Sequence, residues 1–159
     1  MSSTWITPIS DRVELDINSK TSKAYINVQD INRIEGNIAF IYDALNALPY
    51  DIPAQIYKIW AITGIPNTDD IARICENIKS LADHYYIPPR YARLAIIVQK
   101  KALAYRDVND IEACLAWLYN EFVTLGRNYN THLKFKNAPL THAQMKAFTH
   151  ERLRKDWSI

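Results

Sequence analysis

The chain has 159 residues, of which 48% are hydrophobic and 23% are charged, a composition that is typical of a folded globular protein and excludes a disordered chain. No stretch approaches the roughly 18 consecutive apolar residues that a membrane-spanning helix needs, so we expect no membrane partner. The net charge is +2, but residues 127–159 contain seven Lys or Arg and two Asp or Glu, whereas residues 1–126 contain twelve and fifteen. A basic tail therefore follows a mildly acidic body.

The first 26 residues are predicted to form an extended arm. Pro8 and an alternation of apolar residues over 13–17 precede a polar run over 18–23. Such an arm cannot bury much surface alone, so we expect it to pack on the body or on another subunit.

Helical patterns occupy the rest of the chain. From Asn27 onward, apolar residues recur at three- and four-residue steps, the pattern of an amphipathic helix that Pro49 ends. Four more helices are predicted at about 51–64, 67–85, 88–105 and 107–125. Pro53 suits the first turn of the second helix, and Gly64 and Gly126 suit helix ends. Residues 127–140 are predicted to be a loop, and residues 141–156 a short last helix.

Three of these helices are related in sequence. Asp30 begins Asp-Ile-Asn-Arg-Ile-Glu-Gly-Asn-Ile, Asp70 begins Asp-Ile-Ala-Arg-Ile-Cys-Glu-Asn-Ile, and Asp107 begins a looser copy, Asp-Val-Asn-Asp-Ile-Glu-Ala-Cys-Leu. In each copy, apolar residues follow the aspartate at the first, fourth, eighth and eleventh places, which predicts three similar helices around one core. Asn27 and Asn67 are expected to cap the first two copies, and Asp107 itself the third.

The predicted fold is therefore mainly α. It is a helical bundle of three related helices and two connecting helices, with an extended N-terminal arm (1–26), a helical core domain (27–126) and a basic C-terminal tail (127–159) that forms a short helix. The two cysteines lack metal-type spacing, and both are expected to be buried thiols.

Amphipathic spacing does not explain all of the repeat. The first two copies share Arg33 with Arg73 and Asn37 with Asn77 on their polar sides. The tail has a shorter period of eight residues, from Leu-Thr-His-Ala-Gln-Met to Phe-Thr-His-Glu-Arg-Leu. The apolar residues of this basic tail need another surface against which they can be buried.

The opening of the chain resembles that of small structural proteins of tailed phages and of phage-derived tail-like particles of Gram-positive bacteria. The segments that carry the resemblance are Trp5-Ile6-Thr7-Pro8, Asp11-Arg12 and Asp30-Ile31-Asn32-Arg33-Ile34-Glu35-Gly36-Asn37. The Thr-His units of the tail are similar to short repeats near the ends of phage tail proteins. The resemblance covers residues 5–42 well and 67–85 and 105–122 in part, and the third copy departs from it at Asp110 and Cys114. It implies a virion component and no catalytic activity.

Motifs of enzymes and metal sites are absent from the sequence. No Gly-x-Ser-x-Gly, His-Glu-x-x-His or Cys-x-x-Cys occurs, and the glycines do not cluster into a phosphate-binding loop. We therefore predict no catalytic, cofactor or metal site, no small-molecule substrate and no enzymatic function. The basic residues of the fourth predicted helix, such as Arg90 and Lys101, do not share one face, which favours a solvated surface over a nucleic-acid interface.

The first functional hypothesis is a structural subunit of a phage virion, in the tail, baseplate or fibre-attachment region, assembled in the host cytoplasm. Its partners would be other virion proteins and copies of itself, joined through the extended termini. The alternatives are a host-receptor-binding or fibre adaptor module and, from the basic tail alone, a DNA-contacting neck protein. The predicted partner interface consists of Trp5, Ile6, Pro8, Arg12, Arg33, Asn37, Arg73, Asn77, Met145, Phe148, Leu153 and Trp157.

Overall fold

A computed structural model describes residues 4–47, 50–64 and 66–136, with side chains described up to residue 124. These ranges contain no strand and five helices: α1 Glu14–Asn18, α2 Val28–Asn46, α3 Thr68–His84, α4 Tyr91–Ile97 and α5 Tyr105–Lys136. The predicted mainly α fold is therefore confirmed. Among the helices in the described ranges, none combines the length and apolar character that a membrane crossing needs.

The chain divides into two compact units, Met1–Asn120 and Glu121–Ile159. The predicted arm and most of the predicted core belong to the first unit, and all packing described below lies in it. The division into arm, core and tail at residues 26 and 126 stays a prediction.

The apolar stripes of the sequence repeat form the core. All twelve residues at the first, fourth, eighth and eleventh places after the three aspartates are at most 2% exposed. They are Ile31, Ile34, Ile38 and Ile41 of α2, Ile71, Ile74, Ile78 and Leu81 of α3, and Val108, Ile111, Leu115 and Leu118 of α5. Full burial of one such side chain contributes about 1.5–3 kcal/mol, so these three helices form the stable centre of the unit.

The three related helices start in the same way. The side chain of Asn27 accepts hydrogen bonds from the backbone at the start of α2, and Asp30 accepts one from the backbone N–H of Asn27 at 3.0 Å. Asn67 and Asp70 repeat this arrangement at α3. At α5 the prediction is wrong in one detail. Asp107 is not the cap but accepts from the N–H of Ala104, three residues earlier, at 2.9 Å, which is the role of the other two aspartates.

The predicted helix at 51–64 is not present. Residues 50–61, here called the linker segment, contain no regular secondary structure. Its apolar spacing fits a helix, but α2 and α3 bind its backbone through side chains, as described below. Those contacts replace the hydrogen bonds that a helix would make within itself.

The arm predicted to be extended over residues 1–26 contains the short helix α1, Glu14–Asn18, whose first turn is held by Asp16 accepting from the N–H of Val13 at 2.9 Å. Two further boundaries also differ from the prediction. The connecting helix α4 is shorter than predicted, since it ends at Ile97. Conversely, α5 does not stop at Gly126 and continues to Lys136, through residues predicted to be a loop. A glycine inside a helix costs only about 1 kcal/mol relative to alanine, so Gly126 does not force the helix to end. The predicted last helix at 141–156 lies outside the described residues.

Both cysteines are buried free thiols, as predicted. Burial raises the pKa of Cys75 and of Cys114 to about 12 in each case. Each thiol lies on a different helix of the core, Cys75 on α3 and Cys114 on α5.

We expect the folded protein to lose stability as the pH rises from about 9 towards 12, because an unfolded cysteine ionises near pH 8.5 while the buried thiols stay neutral. Both thiols have a higher pKa in the folded protein than in the unfolded chain. Their contribution to stability is therefore complete below the pKa of an unfolded cysteine and is lost as the pH rises above it. Urea unfolding at pH 8, 9 and 10 measures the effect. In the double variant Cys75→Ala, Cys114→Ala the decline with pH should be shallower, and an unchanged slope would contradict the prediction.

Candidate functional site

Two non-helical segments lie in two grooves between the related helices. The first part of the predicted arm, residues 4–12 and from here on called the arm, contacts α2 and α5 along the first groove. The linker segment contacts α2 and α3 along the second groove. The third side of the bundle, between α3 and α5, is occupied by α4, since Tyr91 donates to Asp83 of α3 and Arg93 to Asp110 of α5.

Asparagine side chains bind the backbone of both segments. Asn37 pairs with Ile6 through two hydrogen bonds, in which the N–H of Ile6 donates at 2.9 Å and the side chain donates to the carbonyl at 2.7 Å. Asn32 pairs with the N–H and carbonyl of Trp60 in the same way, at 2.8 and 3.0 Å. A primary amide offers one acceptor and two donors. A single asparagine can therefore pair with both the backbone N–H and the carbonyl of a residue that lies in no β-sheet.

The asparagines occupy equivalent places in the repeats. Asn32 and Asn109 both lie two places after the aspartate, and Asn109 pairs with the backbone of Arg12 at 3.3 and 2.8 Å. Seven places after the aspartate, Asn77 donates to the carbonyl of Ile56 at 2.9 Å, as Asn37 does to Ile6. Each groove therefore uses the second place of one helix and the seventh place of its neighbour.

Arginine–glutamate pairs join the helices beneath these segments. Arg33 of α2 donates to Glu112 of α5 at 2.6 and 3.2 Å. Arg73 of α3 donates to both carboxylate oxygens of Glu35 on α2, one of them at 3.0 Å. In both pairs the arginine comes from the third place of a repeat and the glutamate from the fifth place of the neighbouring repeat.

The arm adds a second arginine to the first groove. Arg12 is 2% exposed and donates to Asp30 at 2.8 Å and to Glu112 at 3.4 Å. Arg33 also donates to Asp30 at 2.6 Å, so two guanidinium groups and two carboxylates form one buried network. Burial opposes the charge of Arg33, but the hydrogen bonds with Glu112 and Asp30 outweigh it and raise the pKa of Arg33.

Aromatic packing covers the other end of the arm. The ring of Trp5 stacks on that of Tyr119 with centroids 4.0 Å apart and planes 5° apart, and Phe40 lies 6.0 Å from Trp5. The indole of Trp60, in the second groove, donates to Glu35 at 3.2 Å. Offset-stacked aromatic pairs contribute about 0.5–1.5 kcal/mol beyond the area that they bury, so Trp5 anchors the start of the arm.

The third side of the bundle lacks every one of these groups. On this side, α3 has Ala72 at its second place and Cys75 at its fifth place. The neighbouring helix α5 has Asp110 at its third place and Cys114 at its seventh place. Asp110 instead accepts hydrogen bonds from Arg90 and Arg93, at either end of the first turn of α4. The four replacements occur together because α4, rather than a segment held by its backbone, fills this side.

The structure places the predicted interface residues of the body in contacts within the chain. Arg12 and Asn37 are buried, and Arg33 and Arg73 pair with glutamates of neighbouring helices. Trp5 and Pro8 are half-buried and Ile6 is exposed. Whether any of them also meets a partner stays a prediction. The remaining predicted interface residues, Met145, Phe148, Leu153 and Trp157, lie outside the described residues.

Sequence reasoning missed four residues that complete this arrangement. They are Asn32, Asn109, Glu35 and Glu112. The signal was present, since the first and third repeats share both an Asn at the second place and a Glu at the fifth. The shared polar residues were visible as a pattern, but their partners lie 25 to 103 residues away along the chain.

The fold and site define a bundle of three related helices that binds two of the chain's own segments by their backbones. No group of three or more His, Cys, Asp or Glu side chains that could hold a metal ion occurs among the described residues. No family model matches the chain, and no curated protein or solved structure matches it either.

Proposed function

We propose that this chain is a structural subunit of a phage virion, in the tail, baseplate or fibre-attachment region, assembled in the host cytoplasm. Its partners would be other virion proteins and copies of itself, and it would have no enzymatic activity. The resemblance of residues 5–42 to small structural proteins of tailed phages motivates the proposal.

The residues that carry this resemblance have roles in the fold. Trp5 stacks on Tyr119, Arg12 enters the buried network, and Asn37 binds the arm. A motif whose members depend on one another in this way identifies a shared arrangement of arm and helices, not a shared partner. Contacts with neighbouring subunits would then come from residues outside the motif.

The linker segment supplies the observation that carries the proposal. Its backbone is bound to the bundle, but Ile56, Ile59 and the following Ile62 are 71%, 85% and 90% exposed. Three exposed isoleucines therefore occur within seven residues, on a segment whose backbone is bound by side chains of α2 and α3. Exposed apolar surface of this kind is typical of protein–protein interfaces, and a fixed backbone lowers the entropic cost of binding.

Purified particles test the proposal. The protein should be detected by mass spectrometry in virions or tail-like particles isolated by density gradient, at a fixed copy number relative to other tail components. The variant Ile59→Ser, Ile62→Ser should fold normally but be depleted from particles, whereas the control Ile87→Ser, at a residue 60% exposed elsewhere, should be incorporated. Absence of the unaltered protein from particles would refute the proposal.

A further inference from the structure

Three parts of the first unit surround a cleft with a volume of about 680 Å³. They are the end of the arm with the start of α1, the start of α4 and the start of α5. Its charged lining residues are Arg12, Glu14, Arg90, Arg93, Arg106 and Asp110. The guanidinium of Arg12 is already paired with Asp30 and Glu112. The three remaining guanidinium groups face two carboxylates, an excess of one positive charge in a space of the size that small ligands occupy.

The arginines of α4 share a single counter-charge. Arg90 and Arg93 both donate to Asp110, and their side chains remain 55% and 48% exposed. One carboxylate cannot neutralise two guanidinium groups. Donors on both arginines are therefore available for a second acceptor.

Arg106 is also incompletely neutralised. Its Nε donates to the hydroxyl of Tyr105 at 2.8 Å, and its guanidinium lies 5.5 Å from the centre of that ring. It makes no ion pair with the residues that the structure describes. The tyrosine holds the guanidinium at the edge of the cleft and leaves its charge unpaired. The start of α5 adds the positive end of a helix dipole at the same place.

We propose that this cleft binds a small phosphate-type dianion, such as a phosphomonoester or a pyrophosphate group. Guanidinium groups pair with phosphate through two parallel hydrogen bonds, and donors on three arginines suit the three oxygens of a phosphate better than the two of a carboxylate. Arg93 and Arg106 would contact the ligand, and Asp110 would hold Arg90 and Arg93 in position. This site is independent of the assembly role proposed above.

Calorimetric titration of the full chain with inorganic pyrophosphate, at constant ionic strength, tests the proposal. We expect saturable binding of one equivalent, with acetate at the same concentration giving no heat of binding. Arg106→Gln should weaken binding about tenfold, the effect of losing one charge-assisted contact, and leave folding unchanged because Arg106 is exposed. Arg93→Gln should weaken it similarly, and far-UV circular dichroism checks that this variant is folded.

Lys101→Gln is the matched control, since it removes one exposed positive charge that does not line the cleft. Its affinity should equal that of the unaltered chain. Equal weakening in this control would show a diffuse charge effect and refute the site. Absence of saturation by about 10 mM pyrophosphate, or tighter binding to a short DNA duplex than to pyrophosphate, would refute it as well.

Discussion

Glu112→Gln is expected to lower the free energy of unfolding by about 3–5 kcal/mol, the cost of leaving buried charges without their partner. Glu112 is 1% exposed and accepts hydrogen bonds from Arg33, from Arg12 and from the backbone N–H of Ile9. The amide keeps the shape of the side chain but removes the charge that balances two buried guanidinium groups. Only Asp30 would then remain in the network as a counter-charge.

Urea unfolding followed by far-UV circular dichroism measures this loss. Glu76→Gln is the matched control, because Glu76 is exposed on α3 and a change there should alter the free energy of unfolding by less than about 0.5 kcal/mol. The midpoint of unfolding of Glu112→Gln should shift to a lower urea concentration. The dependence of the free energy of unfolding on urea concentration should not change. If both variants unfold at the same urea concentration, the network does not stabilise the fold.

The core could be predicted from the sequence because its signals are local. The apolar residues from Ile31 to Ile41 lie within three turns of one helix, and the pair Asn27 and Asp30 caps that helix across three residues. Each of these features concerns side chains that are neighbours along the chain. The repeat then extended the same prediction to α3 and α5.

The linker segment could not be predicted in the same way. Ile52, Ile56 and Ile59 have the spacing of a helix, and no residue within the segment contradicts that assignment. What determines its structure is a pair of asparagines elsewhere, Asn32 on α2 and Asn77 on α3. Side-chain pairing with a distant backbone leaves no trace in the local apolar pattern, so tertiary contacts decide the outcome.

The departures in the third repeat show that tertiary contacts also determine the candidate site. Asp110 and Cys114 were visible as exceptions to the pattern, and Cys75 as an unremarkable difference. Only the structure shows that Asp110 binds the arginines of α4, which packs on the side between α3 and α5. The exceptions then become a consequence of the topology, because a helix brings its own hydrogen bonds and does not need asparagines to bind its backbone.

Removal of residues 1–12 is expected to destabilise the first unit at least as much as Glu112→Gln, and to leave it largely unfolded if its stability is near the usual 5–15 kcal/mol. The truncation removes Arg12 from the buried network and Trp5 from its stack on Tyr119. It also leaves the side chains of Asn37 and Asn109 without the backbone groups that they bind. The arm is therefore part of the fold and not an appendage to it.

A synthetic peptide of residues 4–13 should restore the helical signal of the truncated chain when added in excess, because two of its main contacts are made through backbone groups and need no covalent link. A peptide with Arg12→Ala should fail, since it leaves Glu112 and Asp30 with one arginine between them. Circular dichroism against peptide concentration gives the affinity. A truncated chain that unfolds at the same urea concentration as the full chain would show instead that the three helices form a stable core without the arm.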